Sequence, residues 1–356
     1  MRRSVSTLLW AGLALLLAAS SADAQTTIRV GWCARTVTSA AAPLAIATKM
    51  GWFAKEGLKL DLVPLPGSTD CAKFVATKEL LFSLPSIEPL AILQKDGVKA
   101  KFFYTAYQGN IYGIAVPEAS PIKTVADLKG KKIGVISMAS GGVIVARALL
   151  KQAGLDPSKD ASIVVAGEAA QTVALLRSNQ IDALSQFDTQ YALTENAGLK
   201  LRRLDHPEIR KFPSNGFMAL NETLESRRKE AIGLGRAYAM GTVFAMANPE
   251  AAVRILWEVY PQTKATGKDE ATALRDDIKT LEARARNWEL APVGVTKWGE
   301  SSEANYTAYI NWLVAQGILK DKVPAASIIT NDLLSEINNF DAKAIAAQAK
   351  AWKPAK

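Results

Sequence analysis

The sequence predicts an α/β fold made of two successive strand–helix sets followed by a helical section. Three observations carry that prediction. Residues 28 to 66 read as strand, helix, strand; short apolar runs alternate with capped helices from Ile111 to Leu204; and the pattern from Glu222 onward is helical with no obvious strand. In the first stretch Ile28 to Trp32 is a short apolar strand, Thr36 to Ala42 supplies turn and cap residues, and Pro43 falls where a first helical turn tolerates a missing N–H. Gly51 is placed to stop the helix and Lys59 to Val63 is the next strand, giving a βαβ unit with a right-handed crossover. The loop Cys33 to Ala42 then lies at the carboxyl ends of the strands, where open α/β sheets bind ligands.

The remaining elements follow by the same signals. Pro64 to Asp70 is a loop leading into a helix over Cys71 to Lys78; Leu80 to Leu84 is a strand, Ser86 caps a helix that Gly97 stops, and Lys101 to Thr105 is a strand. Three strand ends thereby deliver Cys33 to Thr38, Gly67 to Asp70 and Ser86 to Glu88 to one side. In the second set Ile111 to Val116 is a strand, Thr124 to Asp127 opens a short capped helix, and Lys132 to Ile136 is a strand. The loop Ser137-Met138-Ala139-Ser140-Gly141-Gly142 then precedes a helix over Val143 to Ala153, whose free N–H groups suit a carboxylate, sulfonate or phosphate-like group, although such loops are often glycine-rich for packing alone. It is neither a G-x-G-x-x-G nor a P-loop, so nucleotide binding is not supported. Strands at Ser162 to Val165 and Ile181 to Ser185 follow, with Gln186-Phe187-Asp188 at the end of the second; Asp188 either caps the helix Thr189 to Ala197 or faces a ligand. Leu199 to Leu204 closes the set, the one histidine, His206, falls in an Asp-His-Pro turn at the surface, and Lys211 to Leu220 brings the chain back through Ser214-Asn215. Asn248-Pro249 starts a helix to Val259, and Lys268 to Arg286 and Ser301 to Ala315 are amphipathic helices; Trp288, Trp298 and Trp312 are assigned by default to helix packing, with Trp288 or Trp298, in a less regular stretch, as the alternative that reaches the cleft.

Composition narrows the class. The 356 residues, 49% apolar and 22% charged, are enough for two cores and exclude a disordered chain. Arg2-Arg3, the apolar run Leu8 to Ala19 and Ala22-Asp23-Ala24 match a secretory signal peptide cleaved after Ala24, and the run is shorter than the ~20 apolar residues that span a bilayer. The net charge of +9 falls to about +8 on cleavage, and the basic residues are scattered without the aromatic interleaving of a nucleic-acid stripe. Export permits a disulfide between the two cysteines, Cys33 and Cys71, each following a strand; a bridge and two buried thiols both remain open, because geometry decides.

Pro43-Leu44-Ala45-Ile46-Ala47, Gly51-Trp52-Phe53, Glu56-Gly57-Leu58, Ser120-Pro121-Ile122-Lys123, Asp127 to Lys132, Ala153 to Pro157 and Gln180 to Ala183 occur in an order that resembles the nitrate/sulfonate/taurine family of ABC-transporter substrate-binding proteins, which includes thiamine-precursor binders. The resemblance covers roughly residues 28 to 220. It implies a two-lobed periplasmic-binding-protein fold of type II, with residues 25–108 in lobe 1, 109–213 in lobe 2, and 214–356 returning to lobe 1 and ending in helices. It further implies a periplasmic, monomeric, cofactor-free and metal-free protein that binds a small molecule and delivers it to an inner-membrane permease and its ATPase, without nucleic acid. Carried onto this chain, the ligand shell falls in lobe 1 on Trp32, Cys33, Arg35, Thr36, Ser68, Thr69, Ser86 and Glu88. In lobe 2 and the returning segment it falls on Met138, Ser140, Gly141, Gln186, Phe187, Asp188 and Asn215.

Arg35, the one arginine of that shell, suits a carboxylate or sulfonate, with Ser140-Gly141-Gly142 holding it from the opposite lobe and Trp32 and Phe187 as apolar walls. Were Arg35 paired to Glu88 or Asp70, the carboxylates would instead favour a ligand bearing N–H groups, such as a pyrimidine. Two other classes stay open: a sensor's binding lobe, and an enzyme on the same fold. Against catalysis, the sequence has no H-E-x-x-H, G-x-S-x-G or cysteine-rich cluster.

Overall fold

The protein is described from a computed structural model covering residues 25–204 and 207–354. The signal-peptide reading and the position of His206 fall outside the described residues. The first sheet is built from β1 (Thr26–Trp32), β2 (Leu58–Pro64), β3 (Phe82–Ser83) and β4 (Ala100–Thr105). The second contains β5 (Ala115–Pro117), β6 (Lys131–Val135), β7 (Ala161–Val165), β8 (Ala183–Leu184) and β9 (Leu201–Arg203), after which β10 (Gly216–Leu220) rejoins the first. Strand orders are β2-β1-β3-β10-β4 and β7-β6-β8-β5-β9.

Both sheets follow one plan. In the first, β1 runs parallel to β2 and β3 while β10 is antiparallel to β3 and β4. In the second, β6 runs parallel to β7 and β8 while β5 is antiparallel to β8 and β9. Side chains alternate as a one-sided strand requires: Ile28 and Val30 of β1 are buried, and Arg29 between them points out to pair with Asp61, its register partner on β2. Every residue of β10 is buried, as befits an interior strand covered on both faces.

The chain crosses between sheets twice, between β4 and β5 and between β9 and β10. The expected strand Ile111 to Val116 is shortened to β5 because its first half belongs to a crossing: the Tyr112 N–H donates to Asn110 Oδ1 at 2.9 Å, and Tyr112 bridges to Phe187. The expected helix at Thr124 reduces to a 3-10 turn, Ala126–Leu128, with the Asp127 carboxylate accepting the N–H groups of Lys123 and Thr124 at 2.9 Å each. The helix expected from Cys71 starts one turn earlier and spans Ser68–Ala76. Cys33 and Cys71 are bridged, with Cα atoms 5.8 Å apart, so the end of β1 is tied to that helix.

Among the described residues no strand follows Leu220. The helix Ala42–Lys49, with Pro43 in its first turn, packs on Arg228–Ala247 so closely that a Cβ at Gly241 would sit 2.1 Å from the Pro43 carbonyl oxygen. Helix Pro249–Val259 is capped by Asn248 and helix Glu270–Ala285 by Asp269. The latter leaves the first lobe and packs on helix Asp188–Asn196 of the second. It holds that helix by Asn196 Nδ2 donating to the Asp276 carbonyl at 2.8 Å and by the Lys279–Glu195 ion pair at 3.3 Å. The two lobes are therefore joined by two crossings and one helical strap. No helix of the described residues is long and apolar enough to cross a membrane.

Candidate functional site

The carboxyl end of β1, the two crossings, the start of helix Asp188–Asn196 and the strap converge on a cavity between the lobes. It is lined by Trp32, Cys33, Ala34, Thr38, Ala40 and Leu84 from the first lobe, Tyr107, Ile111, Tyr112 and Asn215 from the crossings, Phe187 from the second lobe, and Arg284 from the strap. Four of the wall residues are held by contacts of their own. Trp32 donates through Nε1 to the Thr36 carbonyl at 2.9 Å, Asn215 donates through Nδ2 to the Leu84 carbonyl at 2.9 Å, and Tyr112 meets Phe187 edge to face at 6.0 Å.

Arg284 is the charged member. Its side chain is 3% exposed, and it forks onto Asp188 through Nε at 2.8 Å and Nη2 at 2.6 Å, leaving Nη1 outside the pair. Its guanidinium lies 3.9 Å above the Tyr107 ring, a cation–π contact, and Asn287 Nδ2 adds a third bond to Asp188 at 2.8 Å. Burial opposes the Arg284 charge, but the charge and hydrogen bonds of Asp188, together with the Tyr107 and Tyr238 hydroxyls, offset it and push the guanidinium above its usual range. Burial also pushes the Tyr107 and Tyr112 phenols up, so both are neutral donors. The result is an aromatic box with one permanent cation.

The cavity is nearly shut. Its volume is about 30 Å³, against the several hundred Å³ of a pocket enclosing an organic ligand. Direct bonds between the lobes account for the closure. Ser137 Oγ donates to the Pro66 carbonyl at 2.7 Å, the Thr69 N–H donates to the Ala139 carbonyl at 3.0 Å, and the Thr36 hydroxyl meets the Glu168 carboxylate. Glycines make the approach feasible: a Cβ on Gly67 would lie 2.4 Å from the Ala139 oxygen, and one on Gly141 would lie 2.6 Å from Ser86 Oγ.

This geometry sorts the residues singled out from sequence. Trp32, Cys33, Phe187 and Asn215 line the cavity. Thr36, Ser68, Thr69, Ser86 and Gly141 are brought together instead at the seam where the lobes touch; there Ser68 Oγ accepts the Ser86 N–H at 3.0 Å and approaches Tyr112 Oη at 3.4 Å. Ser140 caps helix Gly141–Gln152 by accepting the Gly142 N–H at 3.2 Å, and Met138 is exposed beside the seam. Gln186 is buried within the second lobe, donating to the Gly167 carbonyl and Thr172 Oγ1. Arg35 is exposed, outside the cavity wall and unpaired with Glu88 or Asp70, because the chain turns outward after Ala34. Asp188 is neither a free ligand group nor a simple cap: it is the counter-ion of Arg284.

Glu88 stands behind the seam. It is 1% exposed, Oε1 accepts the Tyr309 hydroxyl, and Oε2 has no partner. Burial raises its pKa above the ordinary 4.5 despite that hydrogen bond.

Arg284, Tyr107 and Tyr112 were missed from sequence. For Arg284 a signal existed: the buried face of its helix runs Ala273, Asp277, Thr280, Leu281, Arg284, so an acid and a base occupy an otherwise core-facing stripe. Trp288 is buried in helix packing as expected. Among the described residues no group of three or more histidine, cysteine, aspartate or glutamate side chains is placed to hold a metal ion.

The model of the family described as NMT1/THI5 like matches residues 38–252. No curated protein matches the sequence. Among solved structures, a protein from Bordetella bronchiseptica RB50 is 22% identical with a TM-score of 0.68, covering 88% of this chain and 97% of its own. The periplasmic aliphatic sulphonate binding protein SsuA from Escherichia coli is 17% identical with a TM-score of 0.61, over 85% of this chain and 92% of its own. The periplasmic nitrate-binding protein NrtA from Synechocystis PCC 6803 is 16% identical with a TM-score of 0.62, over 93% of this chain and 99% of its own. The fold is thus that of the periplasmic solute-binding proteins.

Proposed function

Because the chain belongs to the NMT1/THI5-like family, we propose that it is an extracytoplasmic binding protein that captures a small organic anion, a carboxylate or sulfonate, between its lobes and delivers it to an ABC importer. One observation carries the ligand class: a buried arginine, held by Asp188 and stacked on Tyr107, with one nitrogen outside the pair, in the wall of an aromatic cavity. The anionic end of the solute bonds to Arg284 Nη1 and its body sits among Trp32, Tyr107, Tyr112 and Phe187. A charged hydrogen bond out of water is worth about 1.5–3 kcal/mol. The sulphonate- and nitrate-binding neighbours support an anion without identifying it.

Binding rather than catalysis fits the cavity chemistry. Its titratable groups are a locked arginine and phenols pushed above their usual range, and its one cysteine is in a disulfide, so the wall offers no nucleophile or base near neutrality. The cavity must enlarge to take an organic solute, which a two-lobed protein achieves by swinging about its crossings. Cys33–Cys71 agrees with an oxidising compartment.

The test is a thermal-shift and calorimetry panel of aliphatic and aromatic carboxylates, sulfonates, nitrate, amino acids and pyrimidines on the mature chain. A ligand at about 100 times its Kd adds roughly 2.7 kcal/mol of stability. An organic anion is expected to bind, Arg284→Lys to weaken it by about 10- to 100-fold, and Arg35→Ala to leave it nearly unchanged. Binding confined to neutral nitrogen heterocycles, or insensitive to Arg284→Lys, would overturn the assignment.

A further inference from the structure

Behind the Arg284 wall of the solute cavity lie two hydrogen-bond donors without an acceptor. Tyr238, on helix Arg228–Ala247, is fully buried, with its ring edge-on to Tyr104 at 5.6 Å and to Phe217 at 5.1 Å, and its hydroxyl has no hydrogen-bond partner. Trp288, four residues beyond Arg284, is 1% exposed, and its indole N–H is also unpartnered. Buried tyrosine hydroxyls and tryptophan N–H groups ordinarily find partners, because one left unmade carries its whole desolvation penalty.

Both groups share one nest with Arg284. Burial, followed by the neighbouring Tyr107 and Tyr104 phenols, pushes Tyr238 well up, while Arg284 and Trp288 act against that push. The Tyr107 ring lies 3.9 Å under the Arg284 guanidinium, and burial raises its phenol against the opposing effects of Arg284 and Tyr238. The charge of the nest decides which acceptor it suits. Arg284 is the only charged side chain among the described residues lining the cavity, and Asp188 already matches it at 2.6 Å. The phenols of Tyr104, Tyr107, Tyr112 and Tyr238 are all raised by burial and so are neutral, and burial also raises Glu88, the carboxyl that acts on Tyr112. One negative charge spread over several oxygens is met there by a compensated cation and neutral donors. A second would be buried with no further cation in the wall to answer it, which costs more than an unmade hydrogen bond.

We propose that Tyr238 and Trp288 are specificity-determining residues for the head group of the solute: Tyr238 Oη and Trp288 Nε1 donate to its oxygens beside Arg284 Nη1, and the nest admits a monoanion and rejects a dianion. This rests on the reading of the cavity as an organic-anion site and adds to it the deep donors and the charge state of the ligand.

The test is calorimetric titration of benzenesulfonate, benzoate and phenylphosphonate into the mature chain and its variants, at pH values on both sides of the second pKa of the phosphonate. Sulfonate and phosphonate share a tetrahedral shape and differ in charge, and their ratio cancels titration of the protein's own groups. Above that pKa, phosphonate affinity relative to sulfonate is expected to fall about tenfold per pH unit, because only the monoprotonated form enters. Tyr238→Phe is expected to weaken the bound monoanion, sulfonate or benzoate, by about tenfold, and Trp288→Phe to do the same. The urea midpoint of ligand-free Tyr238→Phe is expected to stay level or rise, since the lost hydroxyl had no partner. A phosphonate-to-sulfonate ratio constant with pH, or full monoanion affinity in Tyr238→Phe, would overturn the proposal; if Arg284→Lys still weakened binding, the anion reading of the cavity would stand. Affinity lost in Tyr238→Phe together with a lowered midpoint would mark a structural role and also overturn it. Failure of all three probes to bind would overturn both readings.

Discussion

Asp188 and Arg284 have side chains only 10% and 3% exposed, and removing one partner of such a pair leaves an uncompensated charge in the interior. Asp188→Asn is therefore expected to destabilise the protein by about 3–5 kcal/mol, read from the midpoint shift in urea unfolding. A loss under about 1 kcal/mol would mean that water or Tyr107 already compensates the guanidinium. Glu88 makes the complementary prediction for pH. Its folded pKa is raised by burial, so the folded state holds the proton more tightly than the unfolded chain, and stability is lost as pH rises from the ordinary 4.5 through the folded value. Glu88→Gln keeps an acceptor for Tyr309 and cannot ionise, so its stability relative to the parent is expected to increase with pH across that window; a constant difference would show that Glu88 does not titrate differently on folding. Sequence marked Glu88 and Asp188 but named neither Tyr309 nor Arg284 as their partners, because a carboxylate's partner is set by tertiary distance: Arg284 lies 96 positions from Asp188, and Tyr309 lies 221 positions from Glu88.

At the scale of elements, the strands were legible wherever apolar runs were bounded by turn residues. β1, β2 and β4 differ from expectation only at their ends, and β6 only by a shift of one residue. Errors arise where a run serves the crossing rather than the sheet, as in Ile111 to Ile114, and where a helix begins at the seam between the lobes, as at Ser68, whose neighbour Thr69 donates its N–H to the Ala139 carbonyl of the other lobe. The disulfide was left open by sequence and is decided by the placement of helix Ser68–Ala76 against the end of β1. The bridge closes a loop of 38 residues, for which chain entropy gives roughly 4 kcal/mol. Reduction, or Cys33→Ser with Cys71→Ser, is expected to lower the unfolding free energy by about 2–4 kcal/mol. Alkylation of two thiols in the untreated exported protein would refute the bridge.

For the whole molecule, the two-lobed plan was legible because it rests on the order of elements, whereas the closed seam was not, because it depends on which loops face each other across the gap. Gly67 offers the cleanest test of that seam. Its backbone is extended, with φ of 173°, a conformation open to any residue, so alanine there strains nothing within its own loop. The added Cβ instead meets the Ala139 carbonyl of the opposite lobe at 2.4 Å, well inside contact distance, and only when the lobes are together. Gly67→Ala is therefore expected to leave each lobe folded while shifting the population toward an open form. Small-angle scattering should give a larger radius of gyration, and solute affinity should fall in proportion to the closed fraction lost. An unchanged radius together with unchanged affinity would mean that binding does not require the seam between residues 66–69 and 137–141, and with it the closure that gives Arg284 its dry surroundings.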